Sequence, residues 1–294
     1  MKSKISASYS VPMFIALAAL LIAVPLRVYQ YFNIIDSNTG FYNKTDFSVY
    51  IMYAVLGISI IAGILFPFIN HSKRIPQTNS KRSPGFLAVS VVMAVGVIID
   101  SAMQVMTYFD LYNADLTAGT QTVSEYVSSQ GGTILLLQAI FGGLSAVYFF
   151  VTGLSVGVGG SDGAKYKIFA LVPVIWCIFR LLYRFKRTIS FINVSDLLIE
   201  LFMIVFAMLF FLAYAQVTSK VDGASVYWKM FAYGIPAVLF ALVCFLPRLI
   251  VTIVGKGSLL STQYGMYYSD IAFAIFAIYN LISRAKTPAH TFAE

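Results

Sequence analysis

The stretch "CIFRLLYRFKRTISFINVSDLLIE", residues 177–200, decides how the chain is read. Its first part places Arg180, Arg184, Lys186 and Arg187 at the end of a run that is otherwise apolar enough to cross a membrane. A charged side chain left alone in lipid costs roughly a few kcal/mol or more, so the segment is a span only if those charges find partners. Folding the chain back about residues 191–192 supplies them. The fold-back sets Arg187 level with Asp196 and Arg184 level with Glu200. Arg180, Arg184 and Arg187 follow i, i+4, i+7 spacing and share one helical face, and Asp196 and Glu200 share another. The expected structure is therefore a helical hairpin with two rungs of opposite charge, Arg184–Glu200 and Arg187–Asp196.

The rest of the chain agrees with a membrane setting. It is 59% hydrophobic and 11% charged, with a mean hydropathy of +0.82. A soluble domain carries about twice that charge fraction. The net charge of +8 is scattered over loops and helix ends, with no basic stripe of the kind that binds nucleic acid. Positive charge beside apolar runs sets topology and meets anionic lipid headgroups instead. Membrane lipids are thus the expected surroundings and nucleic acid is not an expected partner. Cys177 and Cys244 both lie in apolar runs and imply no disulfide framework. The two histidines, His71 and His290, fall in a polar loop and in the tail, so no histidine-based metal site within the spans and no cofactor is expected.

A crossing needs about 20 apolar residues. On that basis eight segments qualify: 11–32, 48–69, 86–109, 134–156, 167–187, 194–217, 227–252 and 265–283. The fold class read from them is all-α, a polytopic helical bundle of about eight transmembrane helices in one domain, 1–287, with a short tail, 288–294. The first apolar run imitates a signal peptide, but Pro25 and Arg27 follow directly and no small-x-small cleavage site ends it, so it reads as a retained helix. With the amino terminus in the cytoplasm, twelve of the twenty basic residues fall inside, which favours that orientation and sets both termini in the cytoplasm of a cell-membrane protein. The loop "NHSKRIPQTNSKRSPG", residues 70–85, is the strongest inner marker. Nine of the twelve acids then lie in the outer half, several within spans at depths that match the arginines.

Arg180 lies deeper than its hairpin can serve, since its counterpart is the apolar Met203. Asp100, with Gln104 one turn outward on the same face, has similar depth and opposite sign and is its expected partner. The outer ends show a recurring pattern. Arg27 with Gln30, the Arg180 cluster and Arg248 each precede a turn followed by Thr45-Asp46, Ser195-Asp196 or Ser269-Asp270. Hydroxyl and carboxylate at a helix start suit its free N–H groups and positive dipole end. A repeated two-helix unit is one reading, and convergence on the same interfacial caps is the other. The aromatics Tyr29, Tyr31, Phe32, Phe41, Tyr42, Tyr108, Phe109, Tyr112, Tyr264, Tyr267 and Tyr268 gather at this level and read as an interfacial belt. Gly142, Gly143, Gly153 and Gly157 mark a close-packing helix face. Pro25, Pro173, Pro236 and Pro247 fall within spans, where they kink helices.

Two functional readings follow. In the first, Arg27, Gln30, Asp100, Gln104, Arg180, Arg184, Glu200, Arg248 and Asp270 form an outward-facing polar network that binds or transports an anionic small molecule or lipid headgroup. In the second, the protein is a non-catalytic scaffold or complex subunit, the network is a structural set of ion pairs, and the glycine face docks a partner. An intramembrane enzyme is disfavoured, since no H-E-x-x-H occurs and no histidine lies in a span to act as general base. The inner halves of the spans look nearly featureless, which favours outward binding over passage through the membrane. The sequence carries no signal of oligomeric state.

Overall fold

The computed structural model describes residues 7–36, 42–44, 46–69, 82–113, 122–159, 167–187, 194–219, 226–260 and 266–285. They form α1 (Ala7–Asn33), α2 (Phe47–Ile69), α3 (Pro84–Tyr112), a short α4 (Val123–Ser129), α5 (Gly132–Gly157), α6 (Val172–Arg187), α7 (Val194–Ser219), α8 (Tyr227–Ile253) and α9 (Tyr268–Ala285). Each of the eight segments read as spans carries a helix, the fifth beginning only at Phe169 and the eighth only at Tyr268. A helix satisfies its own backbone, which is why apolar runs of this length adopt it in lipid. The short α4 sits in the 110–133 stretch that the sequence reading took only as a connection. It is started by a capping box in which Thr122 accepts from the Glu125 N–H and Glu125 accepts from the Thr122 N–H.

Six helices, α1, α2, α3, α5, α7 and α8, are long and apolar enough to cross a membrane by length and composition. The other two are shorter: α6 has 16 residues, preceded by a 3-10 turn at Phe169–Leu171, and α9 has 18. Pro173 stands in the first turn of α6, where a missing N–H is tolerated, not in the body of a span as read from sequence.

The helices are arranged as a closed ring. In order round it, α3 packs on α5, α5 on α6, α6 on α7, α7 on α8, α8 on α9 and α9 back on α3. The pair α1 and α2 lies outside the ring against α8. Small residues set the closest approaches. A Cβ on Gly142 would lie 2.3 Å from Ser101 Oγ, one on Gly153 2.7 Å from Ser90 Cβ, and one on Gly157 2.5 Å from Leu87 Cβ. The glycine face of α5 is therefore consumed by α3 within the chain and is not a docking face for another protein. Gly143, with no atom within 4 Å of a Cβ, points away from this contact. Gly131 before α5 has φ +77°, a left-handed conformation that favours glycine.

The interior of the ring is aromatic. Phe149 from α5 meets Phe211 of α7 and Phe276 of α9 with ring centroids 5.7 and 5.2 Å apart, and Phe273 of α9 meets Phe211 at 5.3 Å. These contacts join helices that are not neighbours in the ring, so large side chains fill the centre. Tilted and edge-on rings of this kind add to the stabilisation from burial itself.

Candidate functional site

At one end of the bundle the aromatic filling gives way to a layer of charges. Arg27, Arg180, Arg184 and Arg248 are each at most 4% exposed, and Asp100, Asp196, Glu200 and Asp270 are buried with them. Burial of this kind demands compensation by opposite charge and hydrogen bonds. Five ring helices and α1 deliver it.

The denser wing joins α6, α7 and α9. Arg180 makes a fork on Asp270, Nη1 to Oδ1 at 2.6 Å and Nη2 to Oδ2 at 3.1 Å, and its Nη2 also reaches Glu200 Oε1 at 3.4 Å. Arg184 donates to the same Glu200 Oε1 from Nε at 3.0 Å and from Nη2 at 2.7 Å. The Tyr267 ring, half-buried just before α9, covers both guanidiniums, with its centroid 4.4 Å from Arg180 and 5.2 Å from Arg184. Such stacking attracts a cation to the ring face and shields it from water.

The second wing joins α1, α7 and α8. Arg27 donates to Asp196 of α7, to Gln30 Oε1 at 2.8 Å and to Tyr42 Oη at 2.9 Å. Tyr31, one turn from Arg27, donates its hydroxyl to Asp196 Oδ1 at 2.9 Å. Gln30 Nε2 reaches Ser48 Oγ of α2 at 3.4 Å. Arg248 of α8 is close enough to Tyr31, Asp196 and Glu200 to interact electrostatically with all three, and so connects the wings. Asp196 and Glu200, i and i+4 on α7, are the spine of the whole layer.

Asp100 has a different role from the one expected. Its Oδ1 and Oδ2 accept the backbone N–H groups of Tyr268 and Ser269, each at 2.8 Å. A carboxylate of α3 thus caps the start of α9 from outside that helix, satisfying two free donors at its positive end. The expected Arg180–Asp100 pair is not formed, because Asp270 projects from the first turn of α9 directly onto Arg180. Asp270 is therefore an ion-pair partner and not a cap. Asp46 does cap: its Oδ1 accepts from the Ser48 N–H at 2.7 Å at the start of α2. Similar Thr/Ser-Asp dipeptides thus perform two different tasks. The structure sets Arg184 on Glu200, whereas Asp196 meets Arg27. The Arg187 side chain, and with it the expected Arg187–Asp196 rung, lies outside the described residues.

Gln104 of α3 is buried, and both polar atoms of its amide are without a hydrogen-bond partner among the described residues, as are Gln138 Oε1, Trp176 Nε1, Arg180 Nε and Glu200 Oε2. A small cavity next to Arg180, Ser269 and Asp270 extends toward Trp176, Met203, Phe211 and Phe273 and has room for about one water molecule. Tyr31, Tyr42 and Tyr267 are the members that sequence reasoning missed as site residues. They were visible only as part of a belt, yet they contact the arginines, while Tyr29, Phe109 and Tyr112 remain exposed as a belt requires.

Among the described residues no group of three or more His, Cys, Asp or Glu side chains is arranged to hold a metal ion. Chemically the layer is a set of buried cations, matched by carboxylates and by neutral hydrogen-bonding groups. Comparison of the chain with known protein families, with curated proteins and with solved structures finds no match.

Proposed function

We propose that this is an eight-span protein of the cell membrane, with both termini in the cytoplasm and the charged layer in the outer half. In this reading the layer binds an anionic small molecule or lipid headgroup, whose negative group takes the place of a carboxylate on Arg180 or Arg184. The observation that carries the reading is where the charges lie. They are buried, with Arg180 and Arg184 beneath a half-buried tyrosine, and Arg180 Nε and Glu200 Oε2 have no hydrogen-bond partner among the described residues. Ion pairs serving only to fasten two helices need none of those surroundings. Buried intramembrane charges facing a bundle interior are functional candidates for the same reason.

The test uses the folded protein with Cys177 and Cys244 replaced by alanine and Arg184→Cys introduced. A negatively charged, membrane-impermeant methanethiosulfonate is added outside, with and without Tyr267→Ala. The reading expects modification, faster once Tyr267 is removed. No modification in either background, together with recovery of an unstable Arg180→Asp by Asp270→Arg, would overturn it.

That outcome would favour the second reading, a scaffold or complex subunit. One observation supports this alternative. Each buried acid already has partners: Asp100 two backbone N–H groups, Asp196 Arg27 and Tyr31, Glu200 Arg184 and Arg180, and Asp270 a fork from Arg180.

A further inference from the structure

On the outside of the ring, in the half of the bundle away from the charged layer, α1 and α9 leave a groove between them. Leu17 and Leu20 of α1 and Ile278 and Ile282 of α9 line it, with Val238 and Leu242 of α8, on which both other helices pack. Its volume is about 530 Å³. Pockets that take small organic ligands measure ~300–1,000 Å³. Every side chain lining it is apolar except that of Ser10, at its end. The groove faces outward, since Phe14 and Leu17 on its rim are 69% and 52% exposed.

Its depth indicates what fits it. Tyr9 of α1 meets Phe231 of α8 with ring centroids 4.2 Å apart, which sets the starts of these two helices level. Among the described residues the lining then runs along α1 from Ser10 to Leu20 and along α8 as far as Leu242, near the middle of each helix. The α1 stretch is about 15 Å long at 1.5 Å per residue. The hydrocarbon core of a bilayer is ~30 Å thick, so the groove is one leaflet deep. A partner's spanning helix would need an apolar trough through both leaflets. An acyl chain ends at the midplane, where this groove ends.

Positive charge stands at the opposite end, where α8 begins and α9 stops. Arg284 lies in the last turn of α9, one turn beyond Leu281, which lines the groove. Its guanidinium is 5.6 Å from the ring centroid of Tyr227, one turn before Phe231 on α8. Lys229 occupies the same first turn of α8. Both cations are half-buried, and neither forms an ion pair among the described residues, unlike Arg27, Arg180 and Arg184 in the charged layer. Basic groups at the edge of the hydrocarbon attract anionic headgroups.

We propose that the groove holds one acyl chain of an anionic phospholipid, with its phosphate at Arg284 and Lys229. The lipid belongs to the leaflet away from the charged layer, which is the cytoplasmic one in the orientation proposed above. That leaflet is where anionic lipids give the membrane its negative surface. The site is separate from the charged layer and does not require that the layer bind anything.

The purified protein in detergent is equilibrated with equal amounts of phosphatidylglycerol and phosphatidylcholine of the same chains. Lipid retained on the intact protein is read by native mass spectrometry. One phosphatidylglycerol per chain is expected, at least about fivefold preferred over phosphatidylcholine, the factor that one basic residue near a membrane surface supplies. Leu17→Trp fills the groove from an exposed position and should abolish retention, with Leu20→Trp as an independent second filling. Lys229→Gln combined with Arg284→Gln should bring the two lipids close to parity. Unchanged thermal unfolding shows that a variant is folded. Equal retention of both lipids by the unsubstituted protein, full retention by both filled variants, or a preference that survives loss of both cations overturns the site. A dimer that Leu17→Trp dissociates, with no lipid retained, also overturns it, because a second copy would then cover the groove. Loss of the lipid in Tyr267→Ala but not in Leu17→Trp would move it to the charged layer. Labelling of Arg184→Cys from outside reports on that layer by itself, so either reading can fail alone.

Discussion

The two wings of the charged layer solve one problem in different ways. On the α1 side, Arg27 shares its charge between Asp196 and the neutral acceptors Gln30 and Tyr42, and Asp196 has the Tyr31 hydroxyl in reserve. On the α6 side, Arg180 and Arg184 depend on two carboxylates, with Glu200 Oε1 taking bonds from both. The first wing is insulated by neutral hydrogen bonds, most of them local to the α1–α2 hairpin. The second is a compact ionic knot assembled from three helices. Loss of one member should therefore be absorbed on the first wing and propagated on the second.

The largest effect is expected at Arg180. Arg180→Leu leaves Asp270 buried without its fork and removes one donor from Glu200. Breaking a buried pair from one side typically costs about 3–5 kcal/mol. Thermal unfolding of the purified protein in detergent should show a drop of that order, and Arg180→Asp combined with Asp270→Arg should recover at least part of it. Arg27→Met should cost less, about 1.5–3 kcal/mol, the range for hydrogen bonds to charged groups. Asp196 would still hold Tyr31 and stand near Arg248. Equal losses at Arg27 and Arg180 would break the distinction between the wings.

The ease of reading each wing from sequence follows the same division. Arg27 with Gln30, three residues apart on one helix, and Arg184 with Glu200, across one short turn, are legible because helix periodicity and hairpin folding fix their geometry. Arg180 with Asp270, ninety residues apart, is not legible, because it depends on how the ring closes. Asp100 was misassigned for a related reason. Matching depth and opposite charge identified a plausible salt bridge, but its partners are backbone N–H groups at the start of α9, and a sequence does not display these as positive. Six of the helices, α1, α2, α3, α5, α7 and α8, were readable because apolar length alone specifies them, whereas the shorter α6 and α9 were readable only with their charges paired.

Asp100 offers a finer test of what holds the ring at its α3–α9 seam. Asp100→Ala removes both acceptors from Tyr268 and Ser269 and should cost about 1–2 kcal/mol, as loss of a helix cap does. Asp100→Asn keeps one acceptor and should cost less. If the carboxylate served mainly as a charge partner for Arg180, Asn and Ala would be equally damaging. Amide hydrogen exchange at Tyr268 and Ser269 reports the difference directly.

The smallest effect lies outside the spans, where charge faces water and not the ring. Glu125 in α4 accepts from the Thr122 N–H at 2.9 Å, and this bond holds its carboxyl below the ordinary glutamate value of 4.5. A carboxylate depressed in the folded state stabilises it fully above the unfolded value and loses that contribution as pH falls through the folded one. Order in Val123–Ser129 should therefore be unchanged from neutral pH down to about 4.5, the unfolded-state glutamate value, and decline below it. Glu125→Gln retains the accepting oxygen and should flatten the response. Exchange of the α4 amides against pH is the measurement. A decline that begins near neutral pH, or persists in Glu125→Gln, would mean that a group other than the capping box controls this helix.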